Sequence, residues 1–484
     1  MSEHPRPAPE PGPVPDGPAG RERWIALAVC CSALFMTLLD VSVTNVALPS
    51  IADATGAGSS QLQWVVSGYT LSFGLVPVLA GRLGDDHGRR LMFQVGVGGF
   101  VVTSALSGLA PNAEVLIAAR VLQGVAGGLI NPQVSGLIQQ MFSGRERGRA
   151  FGVLGTNVGL ATALGPLVGG ALIALGGPDL GWRLVFFVNV PVGIVVMLLS
   201  RRLLPVTPST GSHRLDLLGS LTLGLATFSV LIAAIEYDAV GPLVLALAVP
   251  VLVLLGLFVR REARLTRTRK DPLIDLRLFR VPSYTSGVVL ALLFFPAQAG
   301  LPLVMALYFQ RGLGYTALQS ALGVTAFALG SATSALLAGR VVHRVGRPLV
   351  VGAASTFAVG AVALALVART GPTEHVGLLL FAPLFVMGAG SGGLITPNQA
   401  LTLMEVDPVA GSTAGGVLQT AQRIGLAVGQ AVIGATFLAA VAGPGASSYG
   451  TALTAAVAAA LVFVAAAIGV GVLDLVRTRR RASS

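Results

Sequence analysis

Long uninterrupted apolar runs recur along nearly the whole of this chain, and they limit its fold more than any other feature. Each is about 20 residues, the length a helix needs to cross roughly 30 Å of hydrocarbon. The runs fall at 24–48, 61–80, 91–110, 114–139, 150–175, 183–203, 215–236, 240–260, 284–309, 316–338, 349–368, 376–400, 413–440 and 451–473. A β-barrel would alternate apolar and polar residues instead. Charge is scarce to match: 11% of residues are charged, against about 25% in soluble proteins. Too little polar surface exists to cover a globule in water. The 62 glycines suit helices packed in lipid, where small residues at contacts do the work of the hydrophobic force. The expectation is an all-α multi-pass membrane protein with about 14 transmembrane helices.

Loop charge tests the count. The formal charge is +11, and it is not spread evenly. With the N-terminus inside, inside segments hold Arg82, Arg89 and Arg90; Arg145, Arg147 and Arg149; Arg201, Arg202 and Arg214; a cluster from Arg260 to Arg280; Arg340, Arg344 and Arg347; and Arg477 to Arg481. Outside segments hold little beyond Arg183, Arg311 and Arg369. This is the positive-inside pattern, so both termini are expected in the cytoplasm and the bilayer is a plasma or inner cell membrane. One inside loop, 401–412, departs from it: it carries Glu405 and Asp407 and no Lys or Arg. The basic residues need no nucleic-acid partner, since no aromatic interleaving or binding motif accompanies them. Cys30 and Cys31 are adjacent inside an apolar run, which suits neither a disulfide nor a zinc site.

Three short patterns repeat in one register. Gly81-Arg-Leu-Gly-Asp-Asp-His-Gly-Arg-Arg90 returns as Gly339-Arg-Val-Val-His-Arg-Val-Gly-Arg-Pro348. Gly127-Gly-Leu-Ile-Asn-Pro-Gln133 returns as Gly392-Gly-Leu-Ile-Thr-Pro-Asn-Gln399, and Gly152-Val-Leu-Gly-Thr156 as Gly416-Val-Leu-Gln-Thr420. Two six-helix halves with an inserted helix pair would give this spacing, an arrangement transporters use with the substrate near the bilayer midplane. The expected division is a Pro/Gly-rich disordered tail at 1–23, a first half at 24–203, inserted helices within 204–260, a basic loop at 261–283, a second half at 284–473 and a tail at 474–484. The tail does not read as a cleavable signal, because the first apolar run is too long for one. In the basic loop, Pro272-Leu-Ile-Asp-Leu-Arg-Leu-Phe279 is apolar enough to lie on a membrane surface.

Asp40 is the sharpest candidate for chemistry. It lies deep in the first span, where an acid costs roughly 2.5–3.5 kcal/mol, so it must face the bundle interior or a wet cavity. An acid balanced between burial and a nearby cation can take a proton at one face and release it at the other; a structural Asp held by neighbouring helices is the plainer reading. Arg120 in the fourth span is either a snorkelling cation or a buried partner to such an acid. Arg423 is the other intramembrane cation. Asn45, Trp64, Tyr69, Gln123, Gln298, Tyr308, Asn398 and Gln399, with Arg423, are the candidates for lining a substrate cavity, although polar groups in spans often satisfy one another and aromatics often only pack. Gly165-Pro-Leu-Val-Gly-Gly170 combines a proline kink with small faces. No GxxxxGK[ST], HExxH or GxSxG stands in the chain. Neither ATP drive nor a membrane enzyme has a visible basis.

Together these patterns resemble the major facilitator superfamily, and within it the fourteen-helix drug:proton antiporters. The 81–90 turn is similar to the superfamily's loop motif after helix 2, and Arg120-Val-Leu-Gln-Gly124 resembles the helix 4 motif. Gly165, Pro166, Gly169 and Gly170 fall in a stretch like the helix 5 antiporter motif. Leu39-Asp-Val-Ser-Val-Thr-Asn-Val-Ala-Leu-Pro49 and Trp182-Arg-Leu-Val-Phe-Phe-Val-Asn-Val-Pro191 look like patterns of the fourteen-helix branch. The resemblance implies a proton-coupled exporter of amphipathic drugs or antibiotics that works by alternating access, with no cofactor beyond the proton gradient and one chain sufficient. Asp85 would be the acid of a cytoplasmic latch, with Gly81, Gly88, Arg89 and Arg90 in its motif. Arg120 would take part in coupling, and Asp40 would bind protons or cationic substrate. Two residues depart from the pattern: Asp86 stands where a base is usual, and Ala161 where the helix 5 motif starts with Gly. A transporter of another metabolite, including an importer, is the alternative on the same fold. A membrane enzyme or sensor is the more distant one.

Overall fold

The structure is a computed structural model that describes residues 20–206, 216–235, 248–268, 272–370, 376–442 and 448–482. Among them every long element is a helix: α1 (Gly20–Thr55), α2 (Ser59–Leu75), α3 (Pro77–His87), α4 (Arg89–Leu109), α5 (Ala113–Met141), α6 (Gly144–Phe187), α7 (Asn189–Leu203), α8 (Leu217–Ile235) and α9 (Ala248–Arg267). Then follow α10 (Pro282–Leu307), α11 (Ala317–Val345), α12 (Arg347–Thr370), α13 (Phe381–Thr402), α14 (Gly411–Ala442) and α15 (Tyr449–Ala482).

Ten helical segments are long and apolar enough to cross a bilayer, and the pair α2–α3, bent by 47°, makes an eleventh. The bend has a local cause: Pro77 opens α3 and has no N–H to continue the ladder of α2. The other expected spans fall on the first part of α6, on α8 and on α9. The first eight residues of the expected 240–260 span lie outside the described residues. α6 is two helices joined at Gly177, whose φ of 68° breaks the α-helical run, and the next apolar crossing is 179–203. Several expected boundaries move. Helix begins at Gly20, inside the expected tail; residues 1–19 of that tail lie outside the described residues. At the other end α15 continues to Ala482, through most of the expected C-terminal tail.

Packing repeats between the halves. α1 lies along α6 as α10 lies along α14, and α4 and α2 pack on α5 as α12 and α11 pack on α13. Between the halves α6 runs along α11 and α14 along α3. These seams are the glycine echoes of the sequence brought into contact. A Cβ on Gly339 would stand 2.6 Å from the Gly152 Cα, and one on Gly416 would stand 2.3 Å from the Pro77 carbonyl oxygen. α8 and α9 pack on each other, and α8 touches α2 and α14. Large apolar side chains such as Val102, Leu122, Leu198, Leu337, Val359 and Val462 stand exposed on outward faces, as a lipid solvent requires.

The basic segment after α9 is anchored rather than loose. Asp216, before α8, accepts from the Gly219 N–H and pairs with Arg261 at 2.7 Å. Glu262, fully buried, accepts from the Ile274 N–H at 3.0 Å. The apolar stretch from Pro272 thereby starts tied to the end of α9.

Candidate transport site

Three features lie along one path through the bundle: a buried charge cluster, a cavity, and a closed seam at one end.

The cluster is built by four helices of the first half. Asp40 on α1 and Arg120 on α5 are each 1% exposed and meet at 2.5 Å. Snorkelling is therefore not what Arg120 does. Gln123, one turn along α5, accepts from Arg120 at 2.8 Å and donates to Asp40 at 3.1 Å. Asn189, the first residue of α7, donates to Asp40 at 2.8 Å, and Ser104 on α4 joins Gln123 and Asn189 through its hydroxyl. Arg120 also donates to the Val65 carbonyl at 3.2 Å. Arg120, Gln123 and Asn189 each offer Asp40 a hydrogen, the arrangement a buried carboxylate needs.

Tyr69 on α2 forms the wall between this cluster and the cavity. The Arg120 guanidinium sits 4.3 Å over its ring, and its hydroxyl donates to the Thr37 carbonyl. One turn on, Phe73 stacks with Tyr69 at 5.7 Å, and Arg423 of α14 sits 4.4 Å over the Phe73 ring. Two arginines from the two halves thus flank one aromatic pair.

The cavity is about 750 Å³, within the range of drug-sized sites. Both halves supply its wall: Leu38, Val41 and Asn45 from α1, Tyr69 and Phe73 from α2, Leu303 and Leu307 from α10, and Arg423, Gln430 and Leu438 from α14. Of the expected cavity residues, Asn45, Tyr69 and Arg423 line it. Gln123 does not: it is sealed in the Asp40 cluster, because its i,i+3 spacing from Arg120 puts both on one helix face. Asn398 is buried at the seam end, bonded to Arg347 and the Gly287 carbonyl. Gln399 reaches toward Ser135 across the halves. Tyr308 is buried in the core, Trp64 packs behind the wall on Leu71 and Ala427, and Gln298 is half-buried off the wall.

The seam end is closed by the 81–90 turn. Gly88, between α3 and α4, has φ 99°, a conformation that favours glycine. Asp85 accepts from the Ser412 and Thr413 N–H groups at 3.2 and 2.8 Å, and from the Thr413 hydroxyl at 2.8 Å. Those are first-turn donors of α14, which no intrahelical carbonyl satisfies. Arg89 pairs with Asp85 at 2.9 Å and donates to the Gly136, Pro408 and Val409 carbonyls. Arg90 donates to the Arg201 and Leu204 carbonyls. Asp86 pairs with Arg82 at 3.0 Å, so it takes its own base and leaves Asp85 to Arg89. The loop 403–410 carries no Lys or Arg because the first half supplies them: Arg89 and Arg147 donate to its carbonyls.

Gly165 and Gly169 on α6 face α1. A Cβ on Gly165 would stand 2.2 Å from the Ser42 hydroxyl, and one on Gly169 would stand 3.1 Å from Val43. Gly170 faces open space, so contact does not explain it. Pro166 lies in the same helix.

Asn189, Ser104 and Arg311 were not singled out by sequence. Asn189 stands in the Trp182–Pro191 pattern and so had a signal. Ser104 had none, since a serine in a span usually bonds its own helix. Arg311 borders the cavity but read as an ordinary loop cation.

A family model described as Major Facilitator Superfamily matches residues 30–430. The chain is 37% identical over 439 residues to the "Probable actinorhodin transporter" of Streptomyces coelicolor, covering 89% of this chain and 76% of that one. It is 35% identical to the "Puromycin resistance protein pur8" of Streptomyces alboniger, covering 86% and 82%. Its fold matches the proton:xylose symporter XylE with a TM-score of 0.65 at 16% identity, covering 92% of this chain and 94% of that one.

Proposed function

The chain belongs to the major facilitator superfamily and is a multi-pass membrane transporter, and we propose that it is a proton-coupled antiporter exporting amphipathic drugs or antibiotics. The observation that carries this reading is the Asp40–Arg120 pair, buried in one half and linked through the stacked Tyr69 and Phe73 rings to Arg423 at the cavity. A buried ion pair is expensive in lipid, and it is suited to a switch. The relative named for puromycin resistance supports antibiotic or drug export over import.

The loop charges orient the seam toward the cytoplasm. The state described is then closed inside, with the cavity reached from outside. A proton arriving from outside can settle on Asp40 only when Arg120 withdraws. Arg120 rests on Tyr69, and Tyr69 stacks on Phe73 at the cavity wall. Substrate leaving the Phe73–Arg423 side lets the aromatic pair shift and frees the acid to be protonated. Loss of the Asp40 charge then loosens the first half, and the seam at Asp85 opens. In the inward-open state substrate enters, Arg120 returns, and the proton leaves to the cytoplasm. One proton moving down the potential contributes about 2.3 kcal/mol per 100 mV. One chain holds both halves and the whole cavity, so a monomer suffices for this cycle, and the proton gradient serves in place of a cofactor.

The test has two arms. Expression in a pump-deficient bacterial host should lower susceptibility to some amphipathic antibiotics. Purified protein in liposomes should drive those compounds against a gradient when a pH difference is imposed. Resistance without any pH-driven transport would remove the antiport part of the reading, and transport only inward would remove export.

A further inference from the structure

Charge is distributed one-sidedly around the cavity. Its described wall holds two arginines, Arg423 and Arg311, and no Asp or Glu. Asp40, the acid the family pattern would offer to a cation, is 1% exposed and faces away from the cavity into its own half. α14 starts at the closed seam, so Arg423, twelve residues on, lies about 18 Å deep from that end at 1.5 Å per residue. Phe73 lies at a matching depth from the start of α2 at the open end. The two form the floor of the cavity, and Arg311, exposed in the turn after α10, stands at its mouth.

Arg423, half-buried at the cavity, differs from the arginines buried in the bundle. Arg120 has Asp40, Arg89 has Asp85 and Arg347 has Asp474. Each also donates to carbonyl or amide oxygens. Among the described residues Arg423 has no acid partner and no hydrogen bond, and it rests on the Phe73 ring. A guanidinium stays protonated in proteins. Its donors are open to the cavity and it is set over an aromatic floor, so a bound molecule can supply the partner that the protein does not.

We propose that the transported molecules are amphipathic anions, a ring or chain system bearing a carboxylate or phenolate, and that Arg423 pairs with the acidic group. This rests on the exporter reading and names its substrate class. The anion enters the pairing as a bidentate acceptor for the guanidinium fork. Its apolar body fills the space between Phe73, Leu303, Leu307 and Leu426. The neutral amides of Asn45, Gln63 and Gln430 add hydrogen bonds without favouring either charge. Cations are disfavoured, because no carboxylate on the wall offsets the two arginines. Export also gains a second drive: a proton entering and an anion leaving both follow an inside-negative potential.

A matched pair of fluorescent probes tests this: anthracene carboxylate and anthracenylmethylammonium, which share a ring system and differ in charge. Binding to the purified full chain is read by fluorescence polarisation, and transport in proteoliposomes under an imposed pH gradient. The carboxylate should bind at least about tenfold tighter than the ammonium. Arg423→Gln should bring the two level by weakening the carboxylate, and Arg423→Lys should keep the preference in part, which separates lost charge from lost folding. Absence of carboxylate binding, preference for the ammonium, or equal weakening of both probes by Arg423→Gln overturns the proposal. Carboxylate transport that ignores the pH gradient overturns the antiport reading and leaves this one standing. Gradient-driven export of the ammonium in preference to the carboxylate does the reverse.

Discussion

Two turns of one pattern, Gly81–Arg90 and Gly339–Pro348, each lie against a helix of the other half. Gly81 packs on the Ser412 carbonyl at the start of α14, and Gly339 packs on Gly148 and Gly152 near the start of α6. Gly88 and Gly346 both take positive φ, 99° and 65°, where one helix ends and the next begins. The backbones therefore match, but the charges do not. Asp85 reaches over to α14, whereas His343 in the same place is exposed among Arg145, Arg149 and Arg344. The reason lies in the helix that each turn meets. α14 begins at Gly411, so the Ser412 and Thr413 N–H groups are unsatisfied and can take an acid. α6 begins at Gly144, one turn before Gly148, so the equivalent N–H groups are already used within the helix. Arg347, the counterpart of Arg89, turns inward to Asp474, Asn398 and the Ser283 carbonyl of its own half. One seam is an electrostatic clasp, and the other is a glycine contact. In the proposed cycle both seams open together, and only one of them is held by charge.

The largest effect should come from breaking the clasp. Asp85→Asn leaves Arg89 buried beside an uncharged amide, a change that typically costs about 3–5 kcal/mol. Spin labels on exposed His87 and Val409, after replacement of buried Cys30 and Cys31, should report the closed distance in the parent and a population shifted to longer distances in the variant. An unchanged distance distribution would mean that Asp85 does not hold this seam.

Next come the glycines, whose loss should affect both seams alike. A side chain on Gly81 would stand 2.4 Å from the Ser412 oxygen, and one on Gly339 would stand 2.6 Å from the Gly152 Cα. Gly81→Val and Gly339→Val should each slow transport strongly, at a closing cost of about 1–3 kcal/mol. A tolerant Gly339 would show that the second seam does not close in the cycle. His343→Asp is the smaller sharpening change. It adds an acid where no free helix donors await it, so the closed population should move by less than about 1 kcal/mol, the range of an exposed ion pair. A large gain in closure would contradict the helix-start argument.

The smallest effect is expected at the end of α9. Burial, with Asp216 nearby, pushes Glu262 up from its ordinary 4.5 to about 7. The folded state then holds more protons than the unfolded one between those values. The stability this contributes is complete below 4.5 and is lost as pH rises through about 7. Hydrogen exchange in 272–280, corrected for its intrinsic pH dependence, should be slower at low pH than at high pH, and Glu262→Gln should flatten the difference. Equal pH dependence in the variant would remove Glu262 as the cause.

The architecture was readable from sequence because lipid makes the code simple. Spans must be long and apolar, and helices that touch closely must carry glycine, so Gly152/Gly416 and Gly81/Gly339 mark real crossings. Asp40 and Arg120 stood out because charge inside a span is costly. The cavity was less readable. Whether a polar side chain in a span faces a cavity or a neighbouring helix depends on helix rotation, which the apolar pattern barely constrains when every face is apolar. Gln123 and Asn398 illustrate this: both were expected on the wall, and both are tied into buried clusters. The bend of α2–α3 and the break at Gly177 likewise arise from local backbone geometry within a continuous apolar run.

The coupling role of Asp40 is the central claim, and one comparison in proteoliposomes tests it most directly. Asp40→Asn should keep substrate counterflow, which needs only the alternation of an occupied cavity, and should lose acceleration by an imposed pH gradient. Gradient-driven transport by Asp40→Asn at the parent's rate would contradict the account.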